Sequence, residues 1–255
     1  MSELLQLPPE FDLSIWHWVA AFLATFSIGL AKGGIKGVTV AFVALMAYVF
    51  GSKESTGLVL PMLIAGDILA VIYYNRHCQW KYIVKLMPWM IVGVLIGVWF
   101  GNDVPEVVFK RGMAFIILGS VIMMYWWDRK DKKDIPTAMW FSGGVGLIAG
   151  FTTMVGNLAG AVSNVYFLAI RLPKDQFIGT AAWLFFLINL FKVPFHIYVW
   201  NTISMDTLAF NLRLIPAILL GFLLGVKLAS YFKDQQYRNF ILAMTAIGAI
   251  LIFFR

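Results

Sequence analysis

Apolar runs recur along the chain from Ile15 to Phe254 with only short polar interruptions between them, and that recurrence most narrows the folds open to it. A core in water asks for one apolar face per element, whereas a bilayer asks for whole segments that are apolar all round. Of the 255 residues, 61% are hydrophobic and 13% charged, too few charges to cover a water-exposed surface. The chain therefore reads as an all-α polytopic membrane protein, and soluble globular classes are excluded. The net charge of +7 does not point to nucleic acid, because the basic residues are scattered through short connections that cannot hold a binding fold. Cys78, alone of its type, excludes an internal disulfide and a thiolate metal cage. Met1 to Asp12 carries Glu3, Glu10 and Asp12 without a basic residue, so a cleaved secretory leader is not expected and the first apolar segment should stay.

Reading apolar runs between polar or Gly/Pro punctuation gives ten segments. The first five are Trp16 to Leu30, Val38 to Phe50, Leu58 to Tyr74, Tyr82 to Phe100 and Val108 to Trp127. The second five are Thr137 to Gly150, Leu158 to Ile170, Phe177 to Trp200, Leu208 to Leu228 and Tyr237 to Phe254. A full span needs roughly 20 residues, so the first two segments of each half read as half-spans. Each short pair flanks a Gly-rich break, Ala31 to Gly37 or Phe151 to Asn157. The expectation is two re-entrant hairpins plus six full spans. Taken as units, residues 1–127 form a first repeat, 128–136 a cytoplasmic linker and 137–255 a second repeat.

The two halves match at several points. Gly29 with Gly150, Gly33 with Gly156, Gly37 with Gly160, and Lys53-Glu54 with Lys174-Asp175 recur at offsets of 121 to 123. With five segments per half, the second copy starts on the opposite side of the membrane, which is an inverted-topology repeat. Basic residues of one loop parity (Lys32, Lys36, Arg76, Lys81, Lys85, Arg129, Lys130, Lys132, Lys133, Arg171, Lys174, Lys227, Lys233, Arg238) far outnumber those of the other (Lys53, Lys110, Arg111, Arg213, Arg255). The positive-inside rule then puts both termini outside the cytoplasm.

The most distinctive local pattern is Ala149-Gly150-Phe151-Thr152-Thr153-Met154-Val155-Gly156-Asn157-Leu158-Ala159-Gly160. Arg171-Leu172-Pro173-Lys174, Phe177-Ile178-Gly179-Thr180-Ala181-Ala182-Trp183 and Ile188-Asn189-Leu190-Phe191-Lys192-Val193-Pro194-Phe195-His196 follow it. Together with Ala31-Lys32-Gly33-Gly34 in the first half, this resembles the TauE/SafE family of sulfite and organosulfonate exporters, also called the toluene sulfonate uptake permease family. The resemblance covers the whole chain. It implies transport of a small sulfur-containing anion across a bacterial cell membrane, with no cofactor; a homodimer is left open.

In hydrocarbon, non-helical backbone survives only where protein buries it or a wet cavity meets it. The breaks should therefore line a cavity, and the helices beginning at Val38 and Leu158 would point two positive dipole ends at one central anion site. Candidate substrate-binding residues are Lys32, Gly33, Gly34 and Lys36 at the first break and Thr152, Thr153, Gly156 and Asn157 at the second. To these we add Trp183 as a cavity wall, and Asn189 and Lys192, which share a helix face with His196 at spacings of three and four. The plainer alternatives are packing for the threonines and Asn157 and snorkelling to headgroups for the two lysines. Asp67 is the one acid well inside a full-length segment; it either carries a coupled proton or pairs with Lys32 or Lys192. His196 is a second candidate for coupling or gating.

These features favour a secondary transporter that exports sulfite, sulfoacetate or a related organosulfonate by alternating access. An inside-negative potential drives anion efflux by about 2.3 kcal/mol per charge per 100 mV, so export needs no coupling ion. The competing readings are a proton-coupled importer of the same anion and a metal-cation carrier or channel. The latter suffers because hard cations want several oxygen ligands and only one acid lies deep. An enzyme is not expected: no His-Glu-x-x-His pair, nucleophile elbow or metal-ligand cluster occurs, and His17, His77 and His196 fall in separate segments.

Overall fold

The computed structural model describes residues 15–36, 52–101 and 139–253. Its helices are α1 (Ile15–Lys32), α2 (Ser52–Tyr74), α3 (Trp80–Phe100), α4 (Met139–Gly156), α5 (Ala159–Ala169), α6 (Lys174–Tyr198), α7 (Met205–Ser230) and α8 (Asp234–Phe253), with a 3-10 turn at Asn75–His77. Among the described residues there is no strand. Six of these helices, α1 to α4, α6 and α7, are long and apolar enough to cross a membrane. The segments Val38 to Phe50 and Val108 to Trp127 and the linker 128–136 lie outside the described residues.

Two segments are longer than the sequence suggests. Helices α1 and α4 each run 18 residues, roughly 27 Å at the helical rise and enough to traverse the hydrocarbon. The glycines that end the sequence-based segments, near Leu30 and at Gly150, do not end the helices. In a buried environment glycine's cost is offset by the close packing it allows, so α4 continues through Phe151-Thr152-Thr153-Met154-Val155 before it stops. The second break is correspondingly narrow. Helix α5, at 11 residues, is a short segment of about 16 Å.

The reason for those glycines is visible at two helix crossings. Helix α1 packs along α7, and α3 along α4. A Cβ on Gly29 would stand 3.0 Å from the Gly221 Cα, and a Cβ on Gly93 would stand 3.0 Å from the Gly150 Cα. Each crossing thus presses backbone on backbone, the device by which helices associate in lipid, where the hydrophobic effect gives no advantage to helix–helix contact. Leu220 and Leu223 of α7 and Val84 and Trp99 of α3 are exposed on the bundle's outside, the apolar surface that lipid requires.

Helices α2 and α6 lie between these two pairs, α2 against α6, α7 and α1, and α6 also against α3. They run antiparallel. Gly57 near the start of α2 abuts Thr202 just past α6, and Gly179 near the start of α6 abuts Tyr74 at the end of α2. Lys32, Lys36, Asn157 and Asn211 all reach this central pair from other elements.

Candidate functional site

Helix α6 places Phe185, Asn189, Lys192 and His196 at spacings of four, three and four, one above another on a single face. All four are buried, so the face that looks polar in sequence turns into the protein. Opposite stands Asp67 on α2, at 0% exposure the single buried acid among the described residues. Three lysines converge on this region from different elements: Lys32 from the end of α1, Lys36 from the break after it, and Lys192 from α6. Their exposures of 6%, 4% and 0% exclude snorkelling to headgroups.

An unbroken run of hydrogen bonds threads the cluster. The Lys32 ammonium forms an ion pair with Asp67 Oδ1. Asn189 Nδ2 donates to Asp67 Oδ2 at 2.8 Å. Lys192 Nζ donates to Asn189 Oδ1 at 3.4 Å, to Asn157 Oδ1 at 2.6 Å, and to the Thr153 carbonyl at 2.8 Å. Asn157 Nδ2 closes the run on the Thr56 carbonyl at 2.9 Å. The first break is thereby connected to the second through five side chains.

Phe185, which the sequence reading did not single out, covers the other end. Its ring centroid lies 5.1 Å from Lys32 Nζ and 5.7 Å from Lys36 Nζ, within cation–π range of both. Its spacing of four from Asn189 was the available signal, hidden because phenylalanine is abundant in this chain. Lys36 has no hydrogen-bond acceptor for its ammonium among the described residues, and the Phe185 face is its contact.

The described parts of the two breaks are fastened near opposite ends of α2. Gly33 and Gly34 are fastened at the C-terminal end of α2, where the Tyr74 hydroxyl donates to the Gly33 carbonyl at 2.8 Å and Tyr237 of α8 donates to the Gly34 carbonyl at 2.6 Å. Gly34 has φ +128° and would press a Cβ to 2.7 Å from that of Ala229, so glycine is required there. Asn157, with φ +55°, is instead fastened to Thr56 near the N-terminal end of α2. Thr56 and Tyr74 are separated by about 27 Å of helix. Helix α5 starts at Ala159, with Leu158 as its N-cap, beside the second break; the helix expected from Val38 lies outside the described residues.

The remaining candidates divide. Thr153 and Asn157 join the cluster, and Gly156 is buried at the end of α4 beside them. Thr152 returns its hydroxyl to the Ile148 and Ala149 carbonyls, the back-bonding by which a threonine satisfies itself within a helix. Trp183 stands apart, its indole against Trp80 at 5.0 Å and its N–H toward Asn75 at 3.3 Å. His196, one turn beyond Lys192, is engaged through Nδ1 with Thr202 at 2.9 Å, and its Nε2 has no partner among the described residues.

A helical bundle with apolar outer faces and a buried, predominantly cationic core defines a polytopic membrane protein with an anion-compatible interior. The model of the sulfite exporter TauE/SafE family matches residues 18–252, and the chain belongs to that family. Membership indicates a membrane transporter for sulfite or organosulfonates. Neither curated proteins nor solved structures gave a match to the chain.

Proposed function

We propose that the chain is a secondary transporter that exports a small sulfur-containing anion, sulfite or an organosulfonate such as sulfoacetate, from the cytoplasm by alternating access. The observation that carries this reading is the charge of the buried cluster. Three lysines less one aspartate leave a formal excess of two positive charges, and buried cations are costly without a counter-charge. A sulfite or sulfonate group supplies that charge and several acceptor oxygens. A cation carrier fits poorly, because the one buried acid among the described residues is already held by Lys32.

The substrate-binding set in this reading is Lys32, Lys36, Asn189, Lys192, Thr153 and Asn157, with Gly33, Gly34 and Gly156 shaping the turns and Asp67 as the internal counter-charge. An inverted repeat is supported by the α1–α7 and α3–α4 crossings, which match when the first and sixth segments, and the fourth and ninth, are exchanged. Positive-inside sidedness puts both termini outside and the first break toward the cytoplasm. The test is thermal stability of the purified protein. Sodium sulfite should raise the melting temperature in a concentration-dependent way, whereas Mg²⁺ and Zn²⁺ at equal ionic strength should not. Stabilisation by the divalent cations alone would overturn the reading.

A further inference from the structure

We infer that Asp67 is an internal surrogate for the transported anion. It holds Lys32 while the site is empty, yields that lysine to the arriving anion, and turns across Asn189 to Lys192. The inference rests on the functional reading above and adds how the two breaks communicate. Its basis is an asymmetry in how the three lysines are satisfied. Lys32 has the carboxylate. Among the described residues Lys192 has neutral acceptors alone, the Thr153 carbonyl and hydroxyl and the amide oxygens of Asn157 and Asn189. Lys36 has the Phe185 face and no acceptor among the described residues, although it is buried to 4% exposure.

An anion entering at the first break therefore meets Lys36 first, with Lys32 reaching the same aromatic ring. Taking Lys32 as its second ligand displaces a carboxylate whose other oxygen is already held by Asn189. Asn189 is itself a ligand of Lys192, so the freed carboxylate lies one amide away from a cation that lacks a counter-charge. Pairing there draws Lys192 from Asn157, the residue that ties the second break to Thr56. No covalent bond is made or broken; one anion replaces another on Lys32, and the displaced one neutralises Lys192. Occupancy of the first break is thereby converted into loosening of the second.

The experiment is isothermal titration of the purified full-length protein with sodium sulfite in a constant chloride background, alongside melting temperatures. Lys36→Gln should weaken binding by about tenfold or more, because it removes the first ligand. Asp67→Asn should bind sulfite more tightly than wild type by about tenfold, within the usual range for coupled sites, since the competing carboxylate is gone. Lys192→Gln should bind more weakly, because the displaced carboxylate has no cation to receive it, and the same substitution should cost less affinity in an Asp67→Asn background. Weaker or unchanged binding by Asp67→Asn, with Lys36→Gln impaired, would overturn the surrogate role and leave the functional reading standing. Should Asp67→Asn not fold, Lys192→Gln decides: reduced affinity in protein that still melts cooperatively supports the exchange, and wild-type affinity overturns it. Wild-type binding in all three single variants would place the anion elsewhere and remove the functional reading as well.

Discussion

The two breaks solve the problem of a turn inside apolar surroundings in opposite ways. At the first, the turn carries its own cations, Lys32 and Lys36, and is held from outside by the phenols of Tyr74 and Tyr237. At the second, the turn is neutral and receives a cation, Lys192, from the facing helix. Among the described residues only the first has a carboxylate partner. The difference teaches that a common backbone device, a helix stopped by a left-handed or glycine residue, can be given different electrostatic roles by where the lysine is rooted. A cation on the turn moves with it; one on α6 stays with the central helix pair when the turn moves.

The largest expected effect breaks this comparison at its charged end. Lys32→Gln strands the Asp67 carboxylate, fully buried and left with Asn189 as its donor, and should cost about 3 to 5 kcal/mol of stability. Adding Asp67→Asn should restore most of that loss, because the uncompensated charge is gone. Lys192→Gln should cost less, about 1 to 3 kcal/mol, since it leaves neutral acceptors rather than an ion unsatisfied. Melting curves of the three variants and wild type check the order. Equal losses for Lys32→Gln and Lys192→Gln would mean that the two ends are electrostatically alike.

A smaller effect sharpens the neutral end. Asn157 combines a left-handed φ of +55° with two hydrogen-bond roles, acceptor for Lys192 and donor to Thr56. Asn157→Gly keeps the backbone and loses the bonds, costing about 1 to 3 kcal/mol; Asn157→Ala adds roughly 1 kcal/mol for forcing a β-carbon into that conformation. The gap between the two variants in chemical denaturation isolates the backbone contribution. Identical stabilities would mean that the turn readjusts and that φ at Asn157 is not constrained by its surroundings.

What the sequence made legible was the material of the site more than its arrangement. Membrane class, helix identities and the polar face of α6 follow from hydropathy and from a spacing of three and four, both local properties. Lys32, Asp67, Asn189 and Lys192 stand out because ionisable and amide groups are rare in long apolar segments, and the structure brings these four together. The extent of α1 and α4 was less legible. Glycine was read as a helix stop near Gly150, whereas its neighbour there is Gly93, far along the chain, and only that contact explains why the helix continues. Phe185, Tyr74 and Tyr237 were missed for a related reason: an aromatic in an aromatic-rich membrane chain carries no local mark of the ammonium or carbonyl it will face.

The experiment with no expected effect on stability is the most informative about orientation, because it decides which break faces the cytoplasm. Cys78 follows the 3-10 turn Asn75–His77, just beyond the end of α2 where Tyr74 holds the first break. It is partly exposed, and burial pushes its thiol up to about 11. At pH 7 roughly one molecule in 10,000 then carries the thiolate, so maleimide labelling should be slow and should quicken about tenfold per pH unit as the pH rises toward that value. Sidedness follows from access. A charged, membrane-impermeant maleimide should label Cys78 in inside-out vesicles and not in intact cells, if the basic loop containing Arg76 and Lys81 is cytoplasmic as charge bias requires. Labelling in intact cells alone would invert the protein and turn the lysine-bearing break outward. No substitution is needed, because Cys78 is the chain's one cysteine, and the folded bundle is left as it is.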